Sequence, residues 1–327
     1  MRLRYYSGVV AVLLVSVVIS SATNNAESEK ALVERARAFW SDRKYENAED
    51  IYKNLLEKYP TSVWSDEYKL EMINCYRITN KYDEAIRKCN EFIKNRPESY
   101  LISTIRYSLM SIYVYHKNDL EKGEGQANII IKEFPGTVYE QYALGFLANI
   151  YRRQKKTDKF VEIALDSLKK YPDSCGAVWL HYSMGKIYLD RKNYSKALVE
   201  FRQSFENRTK DMTYASVSCN SIFYCLKRQK DYEAAAAWAE KCIDKYSDEF
   251  STEYLHYSLV LLYPSRLKQQ KKADKAYAAF KMKYPNSKYT DDLEDRLAAM
   301  RQEASMDKLL LNIKDTDSSE EEVIDLK

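Results

Sequence analysis

The chain has 327 residues, 45% apolar and 31% charged, and carries a formal net charge of +4. That composition suits a folded chain with a real core and leaves too little positive charge for a dedicated nucleic-acid binder. Seven glycines and six prolines against 29 tyrosines argue against a turn-rich all-β fold or a Gly-rich α/β enzyme, and for helices joined by short turns.

At the N-terminus, Arg2 and Arg4 precede an apolar stretch at 8–19, followed by the small residues Ser20, Ser21 and Ala22. This is the pattern of a secretory signal with cleavage after Ala22. The stretch is short of the roughly 20 residues a membrane-spanning helix needs. Residues 1–22 are therefore read as an export signal and set apart from the fold. The first cysteine is Cys75, so a lipid-modified cysteine after the apolar run is not expected. The six cysteines (75, 89, 175, 219, 225 and 242) contain no CxxC pair. An exported chain permits disulfides, but this spacing reads as small buried hydrophobes.

From residue 29 to 287 the chain repeats. Segments close at Pro60, Pro97, Pro135, Pro172, Thr209, Ser247 and Pro285, at intervals of 37 or 38 residues. Twelve positions before each close stand Ala48, Ala85, Gly123, Phe160, Ala197, Ala235 and Ala273. Eight before stand Tyr52, Cys89, Ala127, Ala164, Phe201, Ala239 and Tyr277. Upstream in each unit lies an apolar helical stretch, as where Leu144, Leu147, Ala148 and Tyr151 share one face. Two antiparallel helices need a small residue where their axes cross and an aromatic one turn later, and the proline ends the second helix. Such hairpins bury their apolar faces only by stacking. The stretch at 45–60 is one such second helix, with Ala48, Tyr52 and Pro60 as packing residues. Units 3 and 7 hold one extra residue, expected in their turns. Residues 288–304 read as an amphipathic capping helix, and 305–327 as a disordered acidic tail.

Ala36, Phe39, Ala48, Tyr52 and Pro60 in unit 1, and Met184, Gly185, Tyr188, Ala197 and Phe201 in unit 5, resemble the tetratricopeptide repeat pattern. The resemblance implies an all-α, right-handed α-solenoid of about seven hairpins plus the capping helix. The long period resembles exported bacterial members of outer-membrane-assembly or Tol-Pal-associated type.

Chemistry is sparse. His116, His181 and His256 lie far apart, and no zinc spacing, nucleophile elbow or phosphate loop is present. No enzyme, cofactor or metal site is expected. The resemblance implies a concave groove lined by the first helix of each hairpin. Its ninth positions in units 2, 4 and 6 are read as Asn74, Asn149 and Asn220, and its twelfth as Arg77, Arg152 and Lys227. Tyr107, Tyr142, Trp179, Tyr182 and Tyr224 interleave as amphipathic anchors. Asparagine offers a donor and an acceptor to an extended backbone, and arginine pairs carboxylates. The expectation is a non-catalytic scaffold of the periplasm or envelope holding an acidic or extended protein segment, with self-association a further use of its surfaces. The alternatives are an envelope-assembly component acting through convex or terminal surfaces, and an accessory glycan-binding module.

Overall fold

The computed structural model describes residues 27–207 and 212–320, with only the backbone for 212 and 307–320. The expected signal at 1–22 and the last seven residues of the tail lie outside the described residues. Among the described residues there are fifteen α-helices and no strand. The chain forms two compact units, Met1–Gln154 and Lys155–Lys327. The first holds α1 (Glu29–Ser41), α2 (Tyr45–Lys58), α3 (Ser65–Ile78), α4 (Tyr82–Asn95), α5 (Ile102–Ser111), α6 (Leu120–Glu133) and α7 (Val138–Arg153). The second holds α8 (Thr157–Lys170), α9 (Cys175–Asp190), α10 (Tyr194–Glu206), α11 (Ala215–Arg228), α12 (Tyr232–Tyr246), α13 (Glu253–Ser265), α14 (Gln270–Lys283) and α15 (Thr290–Glu320). Each unit is a run of helical hairpins of the α-solenoid kind.

The prolines act as the sequence predicts. Tyr59, Arg96, Phe134, Tyr171 and Tyr284, each just before a closing proline, have φ near −130° and ψ of 51–63°, outside the helical region. Ser247 stands where no proline follows; it keeps helical angles, and α12 runs on to Tyr246.

Within the hairpins the turn has its own signature. Arg43, Asn80, Asn118, Lys155, Lys192, Lys230 and Lys268 all take φ of 55–64°, the left-handed region. Each stands seventeen residues before its unit's close. The amide after it caps the first helix by bonding back five residues, as in Lys44 to Phe39 (2.8 Å) and Asn193 to Tyr188 (2.9 Å). In the third and seventh hairpins it reaches back six, from Asp119 to Tyr113 (2.8 Å) and from Gln269 to Tyr263 (2.9 Å). The extra residue of these units therefore lies at the end of the first helix, not in the turn. In the third hairpin it is taken up by a π-helical turn, Ile112–His116. In the seventh it falls beside Pro264, which has no amide proton to give. A left-handed lysine is strained by its Cβ, so Lys192→Gly is expected to stabilise the fold by about 0.5–1 kcal/mol and Lys192→Val to destabilise it. Urea unfolding of the two variants measures this, and a weaker glycine variant would refute it.

The crossing positions are buried as expected: Ala48, Ala85, Phe160, Ala197, Ala235 and Ala273 are all fully shielded. Gly123 lies against the Val114 side chain and Gly185 against the Phe201 ring, so close that an added Cβ would stand 2.5 Å and 2.7 Å away, respectively. Glu49 is a buried carboxylate that pairs with Lys53 on its own helix and ties the first hairpin to the second through Lys81. Burial disfavours its charge, but the two ammonium groups more than offset this and hold its pKa below the ordinary value.

Cys75, Cys89 and Cys225 are buried free thiols, as expected of small hydrophobes, and Cys175 is exposed. Cys219 and Cys242 depart from that reading: they face each other across the α11–α12 hairpin and form a disulfide. The last helix also departs from it. α15 buries Leu293 and Leu297 and continues as backbone helix to Glu320, past residue 304 where a tail is expected to begin. No glycine or proline lies between 290 and 320 to stop it.

Candidate functional site

In the first unit, the groove side of α3 satisfies itself. Arg77 donates to the Asn74 side-chain oxygen at 3.2 Å, and Asn74 donates to Glu71 at 3.4 Å. This leaves the buried Arg77 Nε without a partner. On α5 and α7, Tyr107 packs against Tyr142 (5.3 Å between ring centroids) and Phe146 (5.8 Å), and Tyr115 packs on Phe146 (5.1 Å). Burial pushes the Tyr107 hydroxyl's pKa up. Tyr115 and Tyr142 remain exposed at the surface of this aromatic cluster. Asn149, one turn along α7, has a buried side-chain oxygen with no partner, and Arg152 is exposed in the last turn.

In the second unit, a cleft of about 540 Å³ lies along first helices of consecutive hairpins. α9 contributes Lys186 and Asp190, α11 contributes Asn220, Tyr224 and Arg228, and α13 contributes Tyr254; Lys192 and Tyr194 complete the rim. Arg228 is fixed by the Tyr194 hydroxyl at 3.1 Å. The Asn220 side-chain oxygen is buried and unpartnered. Lys227 is half-buried above the Phe223 ring, and burial, with Arg266 nearby, depresses its pKa. Trp179 and Tyr182 lie half-buried, packed on Phe160 and Phe201 respectively.

The register of the predicted asparagines needs one correction. Counted back from the left-handed turn residue, Asn74 and Asn149 stand six residues away and Asn220 ten. Tyr224 holds the equivalent place in α11. Asn220 still shares its face, because residues four apart on a helix are neighbours.

In the first unit a cleft of about 770 Å³ lies between α1 and α3, where no site was expected. Glu29, Glu34, Glu67 and Glu71 line it with Trp40, Trp64, Tyr52 and Tyr68. Tyr52, expected only to pack, lines it as well. Glu29, Glu34 and Trp40 lie on α1 and Glu67, Tyr68 and Glu71 on α3, both first helices, where groove register could have pointed to them; Tyr52 lies on α2 and Trp64 just before α3. Charge differs between the units: residues 27–154 hold 20 acidic and 20 basic side chains, and residues 155–306 hold 21 acidic and 27 basic.

The histidines stay apart. His181 pairs with Glu200 at 2.8 Å, His116 stacks on Tyr82, and His256 is buried. Among the described residues, no cluster of three His, Cys, Asp or Glu groups is arranged to hold a metal ion. No described helix is long and apolar enough to cross a membrane.

Stacked hairpins with the small-residue crossings and proline ends described above define a tetratricopeptide-type helical-repeat protein. The C-terminal part of a TPR repeat-containing protein from Cytophaga hutchinsonii shares this fold, with a TM-score of 0.59 and 16% identity over 80% of this chain and 98% of that one. A tetratricopeptide repeat protein from Parabacteroides merdae is also similar (TM-score 0.49, 16% identity, 84% of this chain and 100% of that one). No curated protein sequence matches the chain. The family model described as YfiO, outer membrane lipoprotein, matches residues 25–122 and 179–318, well over half of the chain. The chain belongs to the YfiO outer membrane lipoprotein family.

Proposed function

We propose that the chain works in the bacterial envelope as a scaffold that holds an acidic, extended segment of a protein partner in the groove of its second unit. The observation that carries this reading is the cleft on α9, α11 and α13, where Lys186, Lys192 and Arg228 outnumber Asp190 around the unpartnered Asn220 oxygen. A buried acceptor without a partner costs about 1–3 kcal/mol, which a backbone N–H of an extended segment would recover. Tyr224 and Tyr254 offer exposed ring faces beside these charges. The family's envelope character and the signal pattern at 1–22 support an exported location.

The test uses a fluorescein-labelled twelve-residue peptide of alternating glutamate and serine, read by anisotropy at low and moderate salt. Binding is expected to weaken about tenfold for Arg228→Glu and for Asn220→Ala, and to fall with rising salt. Unchanged affinity in both variants would sink the proposal.

A further inference from the structure

We propose that the cleft between α1 and α3 is a second docking site, built for a lysine- or arginine-bearing segment of a protein partner. This site is separate from the one in the second unit and does not depend on it. The volume of about 770 Å³ suits several side chains. Its walls combine carboxylates with ring faces, the pairing that recognises ammonium and guanidinium groups by ion pairing and by cation–π contact.

The carboxylates are not equally available. Glu29 is occupied, accepting from Ser62 and from the Tyr68 hydroxyl, and serves to fix the wall. Glu67 accepts from Tyr100 through one oxygen, while its other oxygen is buried without a partner. Glu71 receives only the long Asn74 contact. Two cations also line the cleft. Lys30 leans toward Glu34 at 3.9 Å with both groups exposed at the rim, a pairing of little strength. Burial, and then Glu71, disfavour the charged form of the Tyr52 phenol and push its pKa up, while Arg37 nearby acts the other way. Four carboxylates against two cations leave the lining negative. Trp64, in the lining, is 57% exposed, so an incoming aliphatic stem would find apolar surface beside the acids. Charge complementarity thus selects a cationic occupant here, as it selects an acidic one in the second unit.

The experiment pairs a fluorescein-labelled twelve-residue peptide of alternating lysine and serine with the glutamate–serine peptide above, both titrated against the full chain. Glu67→Gln with Glu71→Gln keeps the hydrogen bonds and removes two charges. It is expected to weaken the lysine peptide about tenfold or more and leave the glutamate peptide unchanged. Trp64→Ala, at an exposed position, is expected to weaken the lysine peptide as well. The control is Glu84→Gln with Glu91→Gln, which removes the same charge from the exposed face of α4. Circular-dichroism melting verifies that each variant folds. Equal weakening by the control, or lysine-peptide binding that no cleft variant alters, would overturn the site. Loss of glutamate-peptide binding in Arg228→Glu, with lysine-peptide binding intact, would support both sites independently.

Discussion

Acidifying the protein from pH 6.5 to pH 4 is expected to cost the hairpin of α13 and α14 up to about 3 kcal/mol, and His256→Phe is expected to abolish most of that loss. His256 is buried on α13, edge-on to Phe280 (6.4 Å) and Tyr284 (5.7 Å). Its Nδ1 has no partner. Burial, with a smaller push from Lys283, brings its pKa down from 6.5 to about 4. The unfolded chain takes up a proton as pH falls through 6.5, while the folded chain resists until about pH 4. Stability is therefore full above pH 6.5, declines across that interval and is lost below it. The depressed carboxylate Glu49 acts in the same direction but only in a more acidic window, below the ordinary value of 4.5. Calorimetry at pH 7, 6 and 5 separates the two, because the upper interval reports histidine. A phenylalanine variant with the same decline between pH 7 and 5 as the parent would refute this account.

The second large effect is expected at Phe201, which is fully buried and packs its ring onto the bare backbone of Gly185. Phe201→Ala is expected to cost about 3–5 kcal/mol, from lost apolar burial plus the cavity left behind. Gly185→Ala places a methyl 2.7 Å from two Phe201 ring carbons, so overpacking should outweigh the gain in helix propensity by about 1–2 kcal/mol. With Phe201 already removed, the same alanine would gain space instead of losing it. The double mutant should thus be more stable than Phe201→Ala alone, giving a coupling energy within the usual range of about 0.5–3 kcal/mol. Urea denaturation of the four proteins measures this cycle. Strict additivity would mean that the two residues do not share the crossing.

What the sequence made legible follows from what repeats. A hairpin's small crossing residue and its closing proline recur at fixed spacing, so the helices and their ends could be read by counting. The additional residue in units 3 and 7 was countable too, but its place was not. An α-turn and a π-turn differ by one hydrogen-bond step, which side-chain patterning does not record. The pairing of Cys219 with Cys242 depends on which faces of α11 and α12 meet, again invisible in spacing alone. The reach of α15 to Glu320 was obscured by acidic composition, which describes solubility more than backbone geometry. At the expected groove, Asn220 was assigned by register to a place that Tyr224 holds, and it sits one turn away on the same face. Glu67 and Glu71 stand on a first helix within reach of the same register, but the expectation rested on amide, guanidinium and tyrosine groups and not on carboxylates; Trp64 lies outside the helix and meets them only across the cleft.

The six-residue reach at the third and seventh hairpins has a consequence for how such a chain can change over time. An added residue is absorbed within half a hairpin, and the left-handed residue and the second helix keep their phase. A length mutation in one repeat is thereby confined, and its neighbours need no compensating change. The hairpin's second half is then a fixed standard, while its first half is free to drift in length. That first half also carries most residues of the two proposed sites, so specificity there could diversify by insertion and deletion as well as by substitution.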